Sequence, residues 1–162
     1  MGNIKVTRVD NRYIHGQVNA RLVREYRITR VLLISDAVKK DLFMTQLYKS
    51  IAIGYQVDIL GLKEASDAYN SGKYAKDNIM LLWGNVPDAF ETFQDGLKYS
   101  ELVLGNMPAD SGKKQVDKTC YMNKEEAEKL KMLEAAGVDV YFQAMPDTQK
   151  TTLKDALHKT GF

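Results

Sequence analysis

The chain has 162 residues, 44% hydrophobic and 27% charged, with a net charge of +2 and a single cysteine, Cys120. That composition suits one ordinary domain with its own core, spanning residues 1–162, and excludes an internal disulfide. The longest apolar runs, Val31–Ile34 and Ile79–Trp83, are far too short for a membrane span, and Met1–Val9 lacks the apolar centre of a secretory leader, so a cytoplasmic setting is expected.

The pattern then alternates short β-rich runs with helical ones. Ile4–Val9 reads as a strand, and Gly16–Tyr26 as a helix with Val18, Leu22 and Val23 at helical spacing. Val31–Ser35 is a second strand, continuously apolar as buried parallel strands are. A helix over Leu42–Ile53 has Asp41 as its N-cap and Gly54 as its stop. Gln56–Leu60 is a third strand, Lys63–Tyr69 a short helix, and Ile79–Trp83 a fourth strand. Pro87 opens a helix to Gln94, where its missing N–H does no harm, and Glu101–Leu104 is a fifth strand. The alternation breaks in a loop, Gly105–Lys114, followed by a short edge strand at Thr119–Met122. Asn123 and Glu126 form a capping box for a helix over Lys124–Ala136, which Gly137 ends. Val138–Phe142 is a further strand and Thr151–Lys159 a terminal helix.

This order predicts an α/β fold: a mostly parallel central sheet, helices on both faces, and one short antiparallel edge strand. Ligands of such folds bind beyond the carboxyl ends of the strands. Four post-strand segments share that rim, at His15, Asp36, Trp83-Gly84-Asn85 and Gly105-Asn106-Met107.

Charge is unevenly spread. Residues 1–50 hold ten Lys/Arg against four acids, an excess of +6, and the remainder holds thirteen against seventeen, a deficit of 4. The basic third suits an anionic ligand or partner. Part of the excess (Arg21, Arg24 and Arg27) is equally compatible with a solvated helix face.

Within that third lies Arg8-Val9-Asp10-Asn11-Arg12-Tyr13-Ile14-His15-Gly16-Gln17-Val18. It puts one of the two histidines beside a glycine, between a strand and a helix. Neutral imidazole is a nucleophile near neutral pH, arginine clamps phosphate with two parallel bonds, and a helix start offers free N–H groups. Arg12 is the candidate clamp, Gly16 and Gln17 offer amides, and Asp10 suits orientation of Arg12 or His15. The same residues also suit a helix-start histidine bonded to a carbonyl and an Asp10–Arg12 surface pair. No metal site is expected, since His158 lies alone on the last helix and Cys120 has no partner cysteine. No phosphate loop or dinucleotide fingerprint is present, so no cofactor is expected.

Residues 8–18 resemble the signature of the IIB components of the mannose/fructose/sorbose class of the bacterial sugar phosphotransferase system. Tyr13 departs from the usual leucine. Leu32–Val38, Leu104-Gly105-Asn106-Met107, Gly112–Val116 and Leu130–Thr148 resemble further family segments, so the likeness spans nearly the whole chain. The segments 104–107 and 142–146 are more similar to branches that handle N-acetylgalactosamine or galactosamine than to mannose branches. The resemblance implies a phosphoryl carrier phosphorylated on His15 at Nδ1, with Arg12 stabilising the phosphoryl group, Asp10 supporting the loop, and lesser roles for Gln17 and Asp36. It further implies a IIA phosphodonor, a sugar acceptor, and membrane contact through IIC and IID subunits. Two other readings compete. A receiver-like domain would be phosphorylated on Asp36, but needs two acids after the first strand where this chain has Asp10-Asn11-Arg12. Nucleic-acid binding through the basic third lacks a recognised module and is not expected.

Overall fold

The strands are built where apolar side chains run without interruption, because a strand inside a parallel sheet is covered on both faces. The computed structural model describes residues 2–162, apart from the side chains of Gln17 and Val18. In chain order the strands are β1 (Asn3–Asp10), β2 (Arg30–Ile34), β3 (Gln56–Leu60), β4 (Asn78–Trp83), β5 (Glu101–Asn106), β6 (Lys114–Gln115), β7 (Tyr121–Met122), β8 (Asp139–Phe142) and β9 (Thr151–Thr152). The helices are α1 (Gly16–Glu25), α2 (Asp36–Lys40), α3 (Leu42–Ile51), α4 (Leu62–Asn70), α5 (Val86–Gln94), α6 (Lys124–Ala135) and α7 (Leu153–Thr160).

Seven strands form one sheet in the order β3-β2-β4-β1-β5-β8-β9, parallel except for β9. Side chains alternate between two cores, as the two-residue period of a strand requires. Val31, Leu33, Met80 and Leu82 pack with Leu22 of α1 and Tyr48 of α3 on one face. Leu32, Ile34, Leu81 and Trp83 pack with residues of α4, α5, α6 and α7 on the other. The predicted α/β class, parallel sheet and two-sided helices are therefore observed.

Three local features differ from the expectation. The antiparallel edge strand of the main sheet is β9, not Thr119–Met122. The Asp117 carboxylate accepts from the amides of Thr119 and Cys120, both at 2.8 Å, and that turn draws the segment into a separate β6–β7 hairpin. A short helix, α2, starts directly after β2, because the Ser35 hydroxyl accepts from the Val38 amide at 3.3 Å. Asp41 caps α3 as expected, accepting from the Met44 amide at 3.1 Å, but α3 stops at Ile51 because Ala52 already has extended backbone leading to β3.

The ladder between β1 and β5 is irregular at its carboxyl end. Val9 faces Leu104 and Asp10 faces Asn106, so Gly105 is an extra residue that bulges out of the ladder. A Cβ on Gly105 would collide with the Arg8 guanidinium. The bulged glycine thus opens space for an arginine inside the central strand of the sheet.

Candidate functional site

The site begins with a problem that β1 creates. Arg8 lies on a strand flanked by β4 and β5 and is only 2% exposed. A buried guanidinium needs a counter-charge and acceptors for its donors. Asp10 sits two residues on, hence on the same face of the strand, and is fully buried. Arg8 Nη2 meets Asp10 Oδ2 at 3.3 Å and donates to the Ala144 carbonyl at 2.9 Å, while Nη1 reaches the Gln143 carbonyl at 3.4 Å. Burial pulls the Arg8 guanidinium below its ordinary pKa, and Asp10 pulls it back.

Asp10 is the hub of the loop after β1. Its Oδ1 accepts from the Arg12 amide at 3.0 Å and from Arg12 Nε at 3.4 Å. Its Oδ2, besides Arg8, is 3.0 Å from His15 Nε2. A carboxylate only accepts, so Nε2 is the donor in this bond, and in the neutral ring Nδ1 is the nitrogen left with the lone pair. Nothing among the described residues hydrogen-bonds to Nδ1. The His15 side chain is 21% exposed and that of Arg12 50% exposed, so the ring and the outer guanidinium nitrogens both reach the surface.

Backbone geometry fixes the loop between them. Tyr13 adopts φ +55 and Gly16 φ +39, two left-handed turns within four residues. The Tyr13 strain is held by three contacts. Its carbonyl accepts from Asn19 Nδ2 at 2.9 Å, and its hydroxyl donates to Ser35 Oγ at 3.1 Å. Its ring meets Tyr48 edge-on at 5.9 Å. Burial raises the Tyr13 phenol above its ordinary pKa, which keeps it a neutral donor. Gly84 allows the approach, since a Cβ there would strike the Tyr13 hydroxyl. On the opposite side the Asn11 amide donates to the Asn106 carbonyl at 3.2 Å, and the Asn106 side-chain amide donates to Asn11 Oδ1. His15 is the N-cap of α1 with extended backbone and makes no side-chain cap bond, so its ring does not compete for the first amides of the helix.

Of the residues singled out in the sequence, Asp10, Arg12 and His15 come together, with Gly16 beside them. The backbone of Gln17 lies in α1, but its side chain is outside the described residues. Asp36 is not brought to the histidine: its Oδ1 accepts from the Leu62 amide at 3.0 Å, at the start of α4. The neighbouring Ser35 contacts the loop instead, so the four post-strand segments do meet on one rim, through Ser35, Gly84 and Asn106. His158 is exposed on α7 and Cys120 is buried, and no group of three or more metal-ligating side chains occurs among the described residues. Arg8 and Asn19 carry no assigned role in the sequence reading, and Gly105, placed on the rim there, proves to be what makes room for Arg8. The available signal was positional: an arginine and an aspartate at i and i+2 of a central strand must share a face.

The family model for the sorbose-subfamily IIB component of the phosphotransferase system matches residues 4–162. The chain belongs to that family. It is 29% identical over 157 residues to the mannose-specific EIIAB component of Escherichia coli K12, covering 96% of this chain and 49% of that protein. The chain thus spans about half the length of the curated relatives it first matches. It is 27% identical over 154 residues to the N-acetylgalactosamine-specific IIB component 1 of the same organism, covering 94% of this chain and 98% of that one. Among solved structures, manxB of Thermoanaerobacter tengcongensis superposes with a TM-score of 0.92 at 27% identity, covering 98% and 97% of the two chains. No helix among the described residues is long and apolar enough to cross a membrane.

Proposed function

We propose that this chain, as a single phosphotransferase IIB domain over residues 1–162, accepts a phosphoryl group from a phosphorylated IIA protein on His15 Nδ1 and passes it to a sugar carried by IIC and IID membrane subunits. The observation that supports this reading is the Asp10–His15 bond at 3.0 Å, which fixes the proton on Nε2 and leaves Nδ1 as the nucleophile. When Nδ1 attacks the donor's phosphorus, the donor's P–N bond breaks and the His15 ring becomes an imidazolium. Asp10 balances that charge, as a buried carboxylate does for a catalytic histidine. Arg12 lies with its Nε toward Asp10 and its outer nitrogens toward solvent, where they hold phosphoryl oxygens. The uncapped amides of Gly16 and Gln17 add donors at the positive end of α1.

The second step relies on the same charges. A phosphoryl group on a protonated ring departs easily, because the leaving imidazole is neutral. A sugar hydroxyl then attacks phosphorus, the N–P bond breaks, and the hydroxyl proton passes to a base in the complex. Phosphoryl transfer of this kind needs positioning and charge stabilisation rather than a metal or cofactor held by this chain. The mannose- and N-acetylgalactosamine-specific relatives are similar to this chain to nearly the same extent, 29% and 27%, which supports sugar selection by the membrane subunits. Partnership with IIA is supported by the mannose-specific relative, which is an EIIAB component. The chain works on the cytoplasmic side and touches the membrane through its partners. The alternative, phosphorylation of Asp36, is disfavoured because that carboxylate is spent on the Leu62 amide.

The test is phosphorylation through a reconstituted phosphoenolpyruvate cascade with a IIA protein, on wild type, His15→Ala and Arg12→Ala, with mapping under alkaline conditions because phosphohistidine is acid-labile. One phosphoryl group on His15, absent from His15→Ala and slow to form in Arg12→Ala, is expected. Phosphorylation of His15→Ala at wild-type extent rejects the assignment, and wild-type rates in Arg12→Ala reject the role given to that residue.

A further inference from the structure

The exterior of α3 is built the wrong way round for a helix that faces water. Tyr48 is its buried residue, while Phe43 is 73% exposed, Leu47 37% and Ile51 41%, at the i, i+4, i+8 spacing of one helical stripe. Ile53, just past the helix, continues the exposed apolar surface and is 87% exposed. Single exposed apolar residues are ordinary, but a contiguous row marks a contact surface. From Phe43 to Ile51 it runs about 12 Å along the helix axis. Ile51 and Ile53 then line an open depression of about 540 Å³ whose opposite wall is His15, Gly16, Val23 and Arg24. The apolar row therefore ends beside the nucleophile.

Charge selects the occupant. Lys40, just before the helix, and Arg24, at the depression, are exposed at the two ends of the row, and neither forms an ion pair among the described residues, whereas Lys39 is paired with Glu64 and the Asp41 carboxylate caps α3. A second copy of the chain laid on this face would oppose these cations to their like. A lipid surface would cover the depression without supplying a phosphoryl group. A phosphorylated donor protein answers both features: an apolar patch for the row, edged by carboxylates for Lys40 and Arg24, and a phosphohistidine delivered to the depression.

We infer that the Phe43–Leu47–Ile51 face of α3, with Ile53 beyond its end, is the docking surface for the phosphodonor, and that the depression between α1 and α3 receives the donor's active-site edge. The inference rests on the carrier role given to His15. Its physical purpose is to dry the transfer: apolar contacts rim the exchange and keep water from intercepting the phosphoryl group.

The experiment compares two donors on the same full-length protein, phospho-IIA and the small phosphorylating agent phosphoramidate, in wild type, Phe43→Asp/Leu47→Asp and Phe43→Ser/Leu47→Ser. Both substituted positions are solvent-facing, so the fold is retained, and unchanged circular dichroism and urea midpoints check this. The Asp pair is expected to lower kcat/KM with phospho-IIA by about tenfold or more, and the Ser pair by a smaller factor, with phosphoramidate labelling of His15 unchanged in both. Raising the salt concentration is expected to slow phospho-IIA transfer in wild type and leave phosphoramidate labelling unaffected. Wild-type transfer from phospho-IIA in both variants overturns the inference. So does unimpaired phospho-IIA transfer with loss only at the sugar step in vesicles holding the membrane subunits, which hands the surface to the acceptor. Phosphoramidate labelling elsewhere than His15 in wild type would instead overturn the carrier role itself.

Discussion

Asp10→Asn is the change that isolates what the buried carboxylate does. Both of its oxygens face donors: Oδ1 faces the Arg12 amide at 3.0 Å and Arg12 Nε at 3.4 Å, and Oδ2 faces Arg8 Nη2 at 3.3 Å and His15 Nε2 at 3.0 Å. An amide has one acceptor side and one donor side, so either orientation sets an NH2 against donors. With the NH2 toward Arg12, the loop amide is orphaned. With the NH2 toward His15, the ring must accept at Nε2 and carry its proton on Nδ1, which removes the nucleophile. The second orientation resembles the effect of the same substitution in serine proteases, where a wrong tautomer costs about 10⁴-fold in rate.

Stability should fall as well. Arg8 is 2% exposed and loses its only counter-charge among the described residues, and breaking a buried pair costs about 3–5 kcal/mol. The carbonyls of Ala144 and Gln143 still accept from the guanidinium, which places the loss near the lower end, about 3 kcal/mol. Urea denaturation measures the first quantity and rapid-quench transfer from phospho-IIA the second, with a drop of about 10³-fold or more expected. A variant that transfers within about threefold of wild type and unfolds within about 1 kcal/mol of it would refute the hub role of Asp10.

Gly105→Ala should destabilise the protein by about 1–3 kcal/mol and slow transfer, because the new Cβ collides with the Arg8 guanidinium across the bulge; unchanged urea midpoints would show that Arg8 has room to move. Cys120 is fully buried and its thiol is pushed up to about 12, chiefly by burial, so iodoacetamide at pH 8 should alkylate it only as fast as the chain opens; alkylation at the rate of a free thiol would refute its placement. Burial raises the pKa of Asp58, but bonds from Tyr74, Lys73 and Arg30 outweigh it and leave the carboxyl below its ordinary 3.8. The unfolded chain therefore binds this proton more tightly, and the stabilisation is present above about pH 4 and lost as pH falls through the lower, folded value. Asp58→Asn should flatten the acid limb of the stability curve measured by urea denaturation from pH 5 to pH 2; an unchanged limb counts against the assignment.

Legibility in the sequence tracked burial. β2 and β4 were readable because both faces are covered, which demands unbroken apolar runs such as Val31–Ile34 and Ile79–Trp83. α2 was not, since it has five residues and buries only Val38, so it leaves no periodic signal. β9 was hidden for the same reason: two threonines pair with β8 because the Met145–Thr148 turn brings them back, not because of any strand pattern. At the site, His15, the buried Asp10 and the exposed Arg12 were legible as a motif. Arg8 was not singled out, because a charged residue in a strand reads as solvent-facing until the strand is known to be central. Asp36 erred in the other direction. Its position after β2 put it on the rim, but a side chain at a helix start has backbone amides in reach, and the Leu62 amide took it.

Under the proposed carrier role, the distribution of burial through the network suits one histidine to two different partners. Arg8 and Asp10 are sealed inside the sheet and tied to β1, β5 and the segment after β8. Exposure rises outward, to 21% at the His15 side chain and 50% at Arg12. The charges that orient the ring are therefore beyond the reach of either proposed partner, while the atoms proposed to exchange the phosphoryl group stand at the surface. A donor and an acceptor can then dock in turn on the same presented Nδ1 without the chain having to rebuild its site between the two steps. Such preorganisation matters in phosphoryl transfer, where little covalent work is asked of the protein and most of the rate comes from charges already in place. The strained Tyr13 backbone belongs to the same design: φ +55 is costly in isolation, but Asn19, Ser35 and Tyr48 hold it and Gly84 leaves it room, so the loop is shaped before any partner docks.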